Sequence, residues 1–172
     1  MAARPAGAAD SGTLTEPRPP ATAAHLALDN QVCFLFHRIG RDLTAIYRPL
    51  LGELGLTYPQ YLVMLVLWEQ DGVGVGQIGR RVCLDSGTLS PLLRRLESAG
   101  LVVRRRESDD ERRVTIHLTA QGQELRDRAA RIPAALAGHL VDDPRELRAL
   151  LGQLGSLADR LEGHQVEASP PG

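Results

Sequence analysis

The sequence predicts a mainly helical fold with one small β-hairpin set between helices that run to both chain ends. Three observations lead to it. Apolar residues recur at helical spacing through most of residues 28–163. Strand-like alternation is confined to LVVRRR and RRVTIHLT, on either side of the charged turn ESDDE. Aromatic residues make up only 3% of the chain while hydrophobic residues make up 43%, so the core must be aliphatic.

The elements follow in order. Residues 1–25 are rich in Ala, Pro, Gly and Thr without apolar periodicity and read as a disordered tail, as do residues 163–172. Between them, 26–162 form the folded body. LDNQVCFLFHRIGRDLTAIYRPLLGELG reads as a long amphipathic helix with Asp29 as its N-cap and Pro49 marking a kink or an early end. After a turn at 55–57, YPQYLVMLVLWEQ is apolar nearly all round, hence a buried helix. Two short helices are expected near 76–83 and 86–99, divided at Leu84–Asp85, with Asp85 or Ser86 capping the second and Gly100 closing it. The hairpin comes next. Thr119–Gly122 opens a helix through AQGQELRDRAARIPAAL, and PRELRALLGQLGSLADRLEG supplies the last, with heptad-like apolar spacing.

Composition limits the function. A chain of 172 residues fits one domain. No apolar run approaches the roughly 20 residues that cross a bilayer, and no hydrophobic signal segment opens the chain, so a soluble, cytoplasmic protein without a membrane partner is expected. Two cysteines do not make a disulfide scaffold and should rest as thiols. The formal net charge of −1 gives no overall pull toward nucleic acid, although all 20 basic residues are arginine, which suits phosphate contacts.

Two short helices followed by a charged hairpin make a winged helix-turn-helix, with a DNA-binding core about 56–118. The outer helices, about 28–52 and 119–162, carry more apolar surface than this core can cover, which suggests a shared homodimer interface. In DSGTLSPLLRRLESAGL the compact Ser86, Thr88 and Ser90 let the helix start approach a groove and bond phosphate or base edges. Leu89, Leu92, Leu93 and Leu96 form the buried stripe, leaving Arg94 and Arg95 for the DNA backbone. Residues 94–113 hold seven Arg against five carboxylates, a modest excess that a dimer doubles. In the turn, Asp110 can hold Arg112 in one rotamer for a narrow minor groove; the plainer reading is a solvated charge run.

The run from GLTYPQYLVMLVLWE through LDSGTLSPLLRRLESAGLVVRRR to DDERRVTIHLTAQG resembles the MarR family of winged-helix regulators. LDNQVCFLF with YRPLLGELGLTYPQYLVMLVLW is similar to its organic hydroperoxide-sensing branch, the OhrR repressors; the likeness covers roughly 28–128. The resemblance implies a homodimeric repressor of a palindromic double-stranded operator, with Cys33 as the redox-sensing thiol and Tyr47 and Tyr58 supporting its thiolate from the partner subunit.

Residue chemistry gives this setting some independent support. Near a helix start Cys33 feels unsatisfied N–H groups and the positive dipole end. Burial among Val32, Phe34 and Phe36 opposes ionisation, so hydrogen-bond donors are needed, and Tyr47, Tyr58 and Tyr61 are candidates. Tyr47 cannot reach Cys33 along its own helix, because 14 residues span about 21 Å. His37 lies at i+4 from Cys33, where the resembled sensors carry another Tyr, and can assist the thiolate or accept its proton. Cys33 and His37 alone are too few ligands for zinc, so neither a metal nor another cofactor is expected. Cys83 reads as core packing. The two-cysteine sensors of the resembled branch keep a resolving thiol toward the C-terminal helices, where this chain has none. The resemblance therefore implies a single-cysteine sensor whose sulfenic acid would be trapped by a low-molecular-weight thiol or oxidised further. Two alternatives stay open: a MarR-type repressor released by a small aromatic ligand with Cys33 uninvolved, and a thiol peroxidase, which would need a recycling route. The expectation is a regulator rather than an enzyme.

Overall fold

The computed structural model describes residues 26–106 and 114–168, the side chains of 164–168 excepted. The described residues divide into two compact units, one up to Arg41 and one from Asp42 onward.

The first long helix, α1 (Val32–Gly52), starts later than expected. A 3-10 turn at Leu28–Asn30 contains Asp29, so Asp29 does not cap α1. The helix opens instead on the carbonyl of Gln31, which accepts from the N–H groups of Phe34 and Leu35 at 3.0 and 3.2 Å. Pro49 lies inside α1 and does not end it; the helix continues to Gly52. A tight turn closed by the Leu56 N–H on the Leu51 carbonyl (3.0 Å) leads to α2 (Tyr58–Glu69). There the Gln60 side-chain oxygen accepts from both the N–H and the hydroxyl of Thr57, satisfying the helix start. As its apolar run predicts, α2 is buried on nearly every side, from Tyr61 to Trp68.

Next comes a strand that sequence alternation does not reveal, β1 (Val73–Gly74). Two residues carry no period, and pairing alone defines it. Helices α3 (Val75–Val82) and α4 (Ser86–Ser98) follow within a residue or so of expectation. The stripe Leu89, Leu92, Leu93 and Leu96 is buried. Gly100 ends the helix at φ +71°, where the Leu101 N–H reaches back to the Leu96 carbonyl. Strands β2 (Val102–Arg106) and β3 (Val114–Leu118) form the hairpin, and the sheet order is β1-β3-β2, all antiparallel, with Val73 opposite Ile116 and Arg104 opposite Ile116 on the other side.

Thr119 caps α5 (Ala120–Ala129) by accepting from the Gly122 N–H at 3.0 Å. The single helix expected over 120–136 is instead two, for α6 spans Ile132–Leu140. Pro133 explains the break: it lacks an N–H, its ring would strike the carbonyl four residues back, and it is well placed at a helix start. The last helix, α7 (Pro144–Ala168), continues beyond the expected end of the body at 162. Among the described residues no helix is long and apolar enough to cross a membrane. Leu28, Val32, Phe36 and Ile39 in the first unit, and Leu151, Leu154 and Leu161 in the second, remain exposed.

Candidate functional site

Helix α4 presents its polar side as the sequence predicts. Asp85 is the N-cap, accepting from the Thr88 N–H and hydroxyl, each at 2.9 Å. These two bonds hold the Asp85 carboxyl below its ordinary value of 3.8. The Thr88 proton is thereby committed, so Thr88 offers a groove its methyl and a lone pair rather than a donor. Ser86 is exposed and Ser90 half-buried, while Arg94 and Arg95 both point into solvent.

Because folding lowers the Asp85 pKa, its contribution is present above the unfolded carboxylate value and lost as pH falls through the folded one. Asp85→Asn is therefore expected to lower the melting temperature at pH 7 and to bring it close to wild type at pH 2, as read by circular dichroism.

Among the described residues, Arg104 ties the wing to α4. Arg104 places its guanidinium Nε 3.3 Å from the Glu97 carboxylate, and its Nη2 donates to the Ser90 carbonyl at 3.4 Å. Arg81, on α3, pairs with Glu69 at 2.5 Å. At the far edge of the hairpin, Asp71 accepts from the Leu118 N–H at 2.7 Å and lies 3.5 Å from His117, whose other ring nitrogen meets the Thr115 hydroxyl at 3.1 Å. Asp110 and Arg112, the expected wing-tip pair, lie outside the described residues.

A separate cluster of aromatic rings joins α1 to α2. Tyr47 and Tyr58 bring their ring centroids to 4.7 Å at a tilt of 38°; Tyr61 is 6.0 Å from Tyr47 and meets Trp68 edge-on at 6.2 Å. Local sequence could not show this grouping, because the turn at 53–57 folds one helix back on the other. Burial, reinforced by the neighbouring phenols of Tyr58 and Tyr61, raises the Tyr47 pKa to about 12. Burial likewise raises that of the almost fully enclosed Tyr61. Tyr47 therefore keeps its proton as a donor at any physiological pH. Alkaline ultraviolet titration should find one phenol ionising near 12, absent in Tyr47→Phe. Its folded pKa is raised, so the stability linked to it is present below pH 10 and lost as pH rises toward 12. A cavity of about 300 Å³ beside Tyr58 is lined by Thr44, Arg48, Leu51 and Thr57.

In the first unit, Cys33 is the second residue of α1, one position inside its start. The expected burial among Val32, Phe34 and Phe36 is not met within one chain: the Cys33 side chain is exposed, with Val32 at 65% and Phe36 at 42%. His37, one turn on, is exposed as well. Cys83 also departs from expectation. It is exposed rather than in the core, because it ends α3 in the left-handed conformation at φ 54°, which turns its side chain out of the register shared by Val82 and Leu84. Among the described residues no group of three or more His, Cys, Asp or Glu could hold a metal ion.

The chain matches the profile of the transcriptional regulator SarA/Rot family over residues 45–129. It is 42% identical over 137 residues to the organic hydroperoxide resistance transcriptional regulator of Bacillus subtilis, covering 80% of this chain and 93% of that one. It is 47% identical over 145 residues to the HTH-type transcriptional regulator TtmR of Methylorubrum extorquens, covering 84% and 74%. Among solved structures, AbfR of Staphylococcus epidermidis superposes with a TM-score of 0.67 at 33% identity, over 84% of this chain and 99% of that one. Reduced AbfR bound to DNA gives 0.66 at 34% identity, over 81% and 97%.

Proposed function

This chain belongs to the MarR-type winged-helix transcriptional regulators, in the group that contains the organic hydroperoxide regulators, and from that membership we propose that it is a dimeric repressor released from DNA by oxidation of Cys33. The observation that carries the thiol's part is the exposure of Cys33 in the first turn of α1, on an apolar face that one chain leaves uncovered. A second copy packed on that face would enclose the sulfur. Tyr47 and Tyr58 of that copy, the first held protonated, would then donate hydrogen bonds to the thiolate.

In this reading the reduced dimer sets two α4 helices into successive major grooves of a palindromic operator, about 34 Å apart. Ser86, Thr88 and Ser90 face the base edges, and Arg94 and Arg95 the phosphates; Asp110 and Arg112 would serve the minor groove. An organic hydroperoxide approaches the apolar surroundings more readily than hydrogen peroxide does. The thiolate attacks the peroxide's terminal oxygen, the O–O bond breaks, and the alkoxide leaves and takes up a proton. The sulfur is oxidised by two electrons to the sulfenic acid, and the peroxide is reduced to the alcohol. His37, one turn further along the helix, would exchange a proton with the sulfur. A low-molecular-weight thiol then caps the sulfenic acid, or further peroxide oxidises it. The tyrosine bonds to an anion are lost, the first helices shift, and the paired α4 helices lose their separation.

The test is DNA binding by the reduced protein before and after cumene hydroperoxide, with loss of the complex expected. A second reading draws on the 300 Å³ cavity beside Tyr58, which could admit a small aromatic ligand. Release by such a ligand, with no response to hydroperoxide, would favour it.

A further inference from the structure

At the root of the wing a cavity of about 510 Å³ opens between α3 and the hairpin, lined among others by Gln77, Arg80, Arg104 and Val114. Its two arginines differ in what they can still do. Arg104 is committed: its guanidinium lies against Glu97, its Nη2 bonds the Ser90 carbonyl, and its backbone N–H donates to Glu97 at 3.4 Å. That charge is balanced and that side chain is a wall of the cavity. Arg80 is exposed and has no ion-pair partner among the described residues, whereas Arg81 beside it is held by Glu69. Of the described cations that line the opening, Arg104 and Arg80, the latter therefore brings the uncompensated charge. Gln77, also exposed, adds an amide donor.

The position matters as much as the charge. Arg104 walls this cavity while bonding to Ser90 and Glu97 of α4, so the opening on the α3 side of the hairpin is tied through one side chain to the helix assigned to DNA. An anion entering there would meet a guanidinium fork and an amide, the donor set that suits the two free oxygens of a phosphodiester. We infer that Arg80 binds a backbone phosphate of duplex DNA at the wing root, with Gln77 as a second donor. The inference rests on the DNA-binding reading above. It adds a contact on α3 to those of α4, one that fixes the position of the protein on the duplex and reads no sequence.

The experiment uses the reduced full-length protein and a duplex of arbitrary sequence about 30 base pairs long, titrated by fluorescence anisotropy between about 50 and 300 mM salt, since phosphate contacts carry non-specific binding. Each lost contact should remove about 0.9 from the slope of log affinity against log salt per bound subunit, which weakens binding about 15-fold at 50 mM and about threefold at 300 mM. Arg80→Gln is expected to show this change, Arg80→Lys to keep the slope, and Arg81→Gln to leave it near wild type. A slope for Arg80→Gln equal to that of wild type overturns the inference, as does an equal loss of slope in Arg81→Gln, which would make the charge diffuse. Thermal melts of each variant identify any loss due to unfolding, and Arg80→Lys then decides whether charge or packing is at work. Failure of the unaltered protein to bind the duplex at 50 mM salt would remove the DNA reading itself.

Discussion

Cys33→Ser is expected to keep full affinity for the operator and no longer to release it when an organic hydroperoxide is added. The substitution exchanges one sulfur for one oxygen at an exposed position in the first turn of α1, so the fold has little to lose. What it removes is a nucleophile. A free thiol, with pKa about 8.5, is a few per cent ionised at pH 7, whereas a serine hydroxyl is ionised negligibly and cannot open a peroxide bond at a useful rate. The size of the effect follows from the grip on DNA. Specific complexes are typically 10³–10⁷ tighter than non-specific ones, and a dimer that can seat only one α4 helix forfeits much of that difference. Wild type is expected to lose about 100-fold or more in operator affinity after oxidation, while the Ser variant stays within about twofold. A gel-shift titration against peroxide reads both numbers, and mass spectrometry of the released protein identifies the sulfur product. Release that persists in Cys33→Ser would pass the sensing role to another group, with the cavity beside Tyr58 the next place to look. Release lost in Tyr47→Phe as well, at unchanged stability, would tie the phenol to the same step.

Much of the fold was legible in local sequence, and the exceptions are of two kinds, local signals that were overridden or masked and partners that are distant in the chain. The cap at Asp85, the leucine stripe of α4 and the glycine end at Gly100 are decided within a few residues, and the structure has them where the pattern placed them. The break between α5 and α6 was also written locally, in Pro133, but the helical periodicity on either side masked it. Asp29 had the right residue type for a cap, yet the chain closes a 3-10 turn there and starts the helix at Val32. Cys83 followed the apolar register of its neighbours, but a left-handed backbone at the helix end overrode that register. The rest is non-local. Strand β1 exists because β3 lies beside it, Arg104 finds Glu97 and Ser90 across the turn at the end of α4, and Tyr47 meets Tyr58 because two helices fold together. No periodicity encodes such partners, which is why Arg80 is distinguished from Arg81 only once Glu69 is seen beside the latter.

Gly122→Ala should be the most damaging single methyl group in the second unit. Gly122 sits in the first turn of α5, where a Cβ would stand 2.1 Å from the Leu101 carbonyl oxygen and 3.3 Å from a Leu118 methyl. That carbonyl cannot swing aside, because it accepts from the Thr119 N–H at 3.1 Å, and Thr119 is also tied to the Gly100 carbonyl at 2.6 Å. Nor can α5 move away freely. The Gly122 carbonyl accepts the indole N–H of buried Trp68 at 2.9 Å, and withdrawal would strand that donor in the core. Overpacking costs about 1–3 kcal/mol and an unsatisfied buried donor about 1–3 kcal/mol, so either route of relief is expensive and a mixture of both comes to roughly 3–5 kcal/mol. Against a typical stability of about 5–15 kcal/mol this is a large share. At about 2–4 °C per kcal/mol for a chain of this size, the melting temperature should fall by about 6–20 °C. Gly138→Ala is the matched control, since a Cβ there meets nothing within 4 Å and the position lies inside α6. It should be neutral or raise stability by up to about 1 kcal/mol, through the better helix propensity of alanine. Equal melting temperatures for the two variants would mean that the contact among α5, Trp68 and the start of β2 is loose. The platform that holds α4 and the wing together would then have to be sought elsewhere in the core.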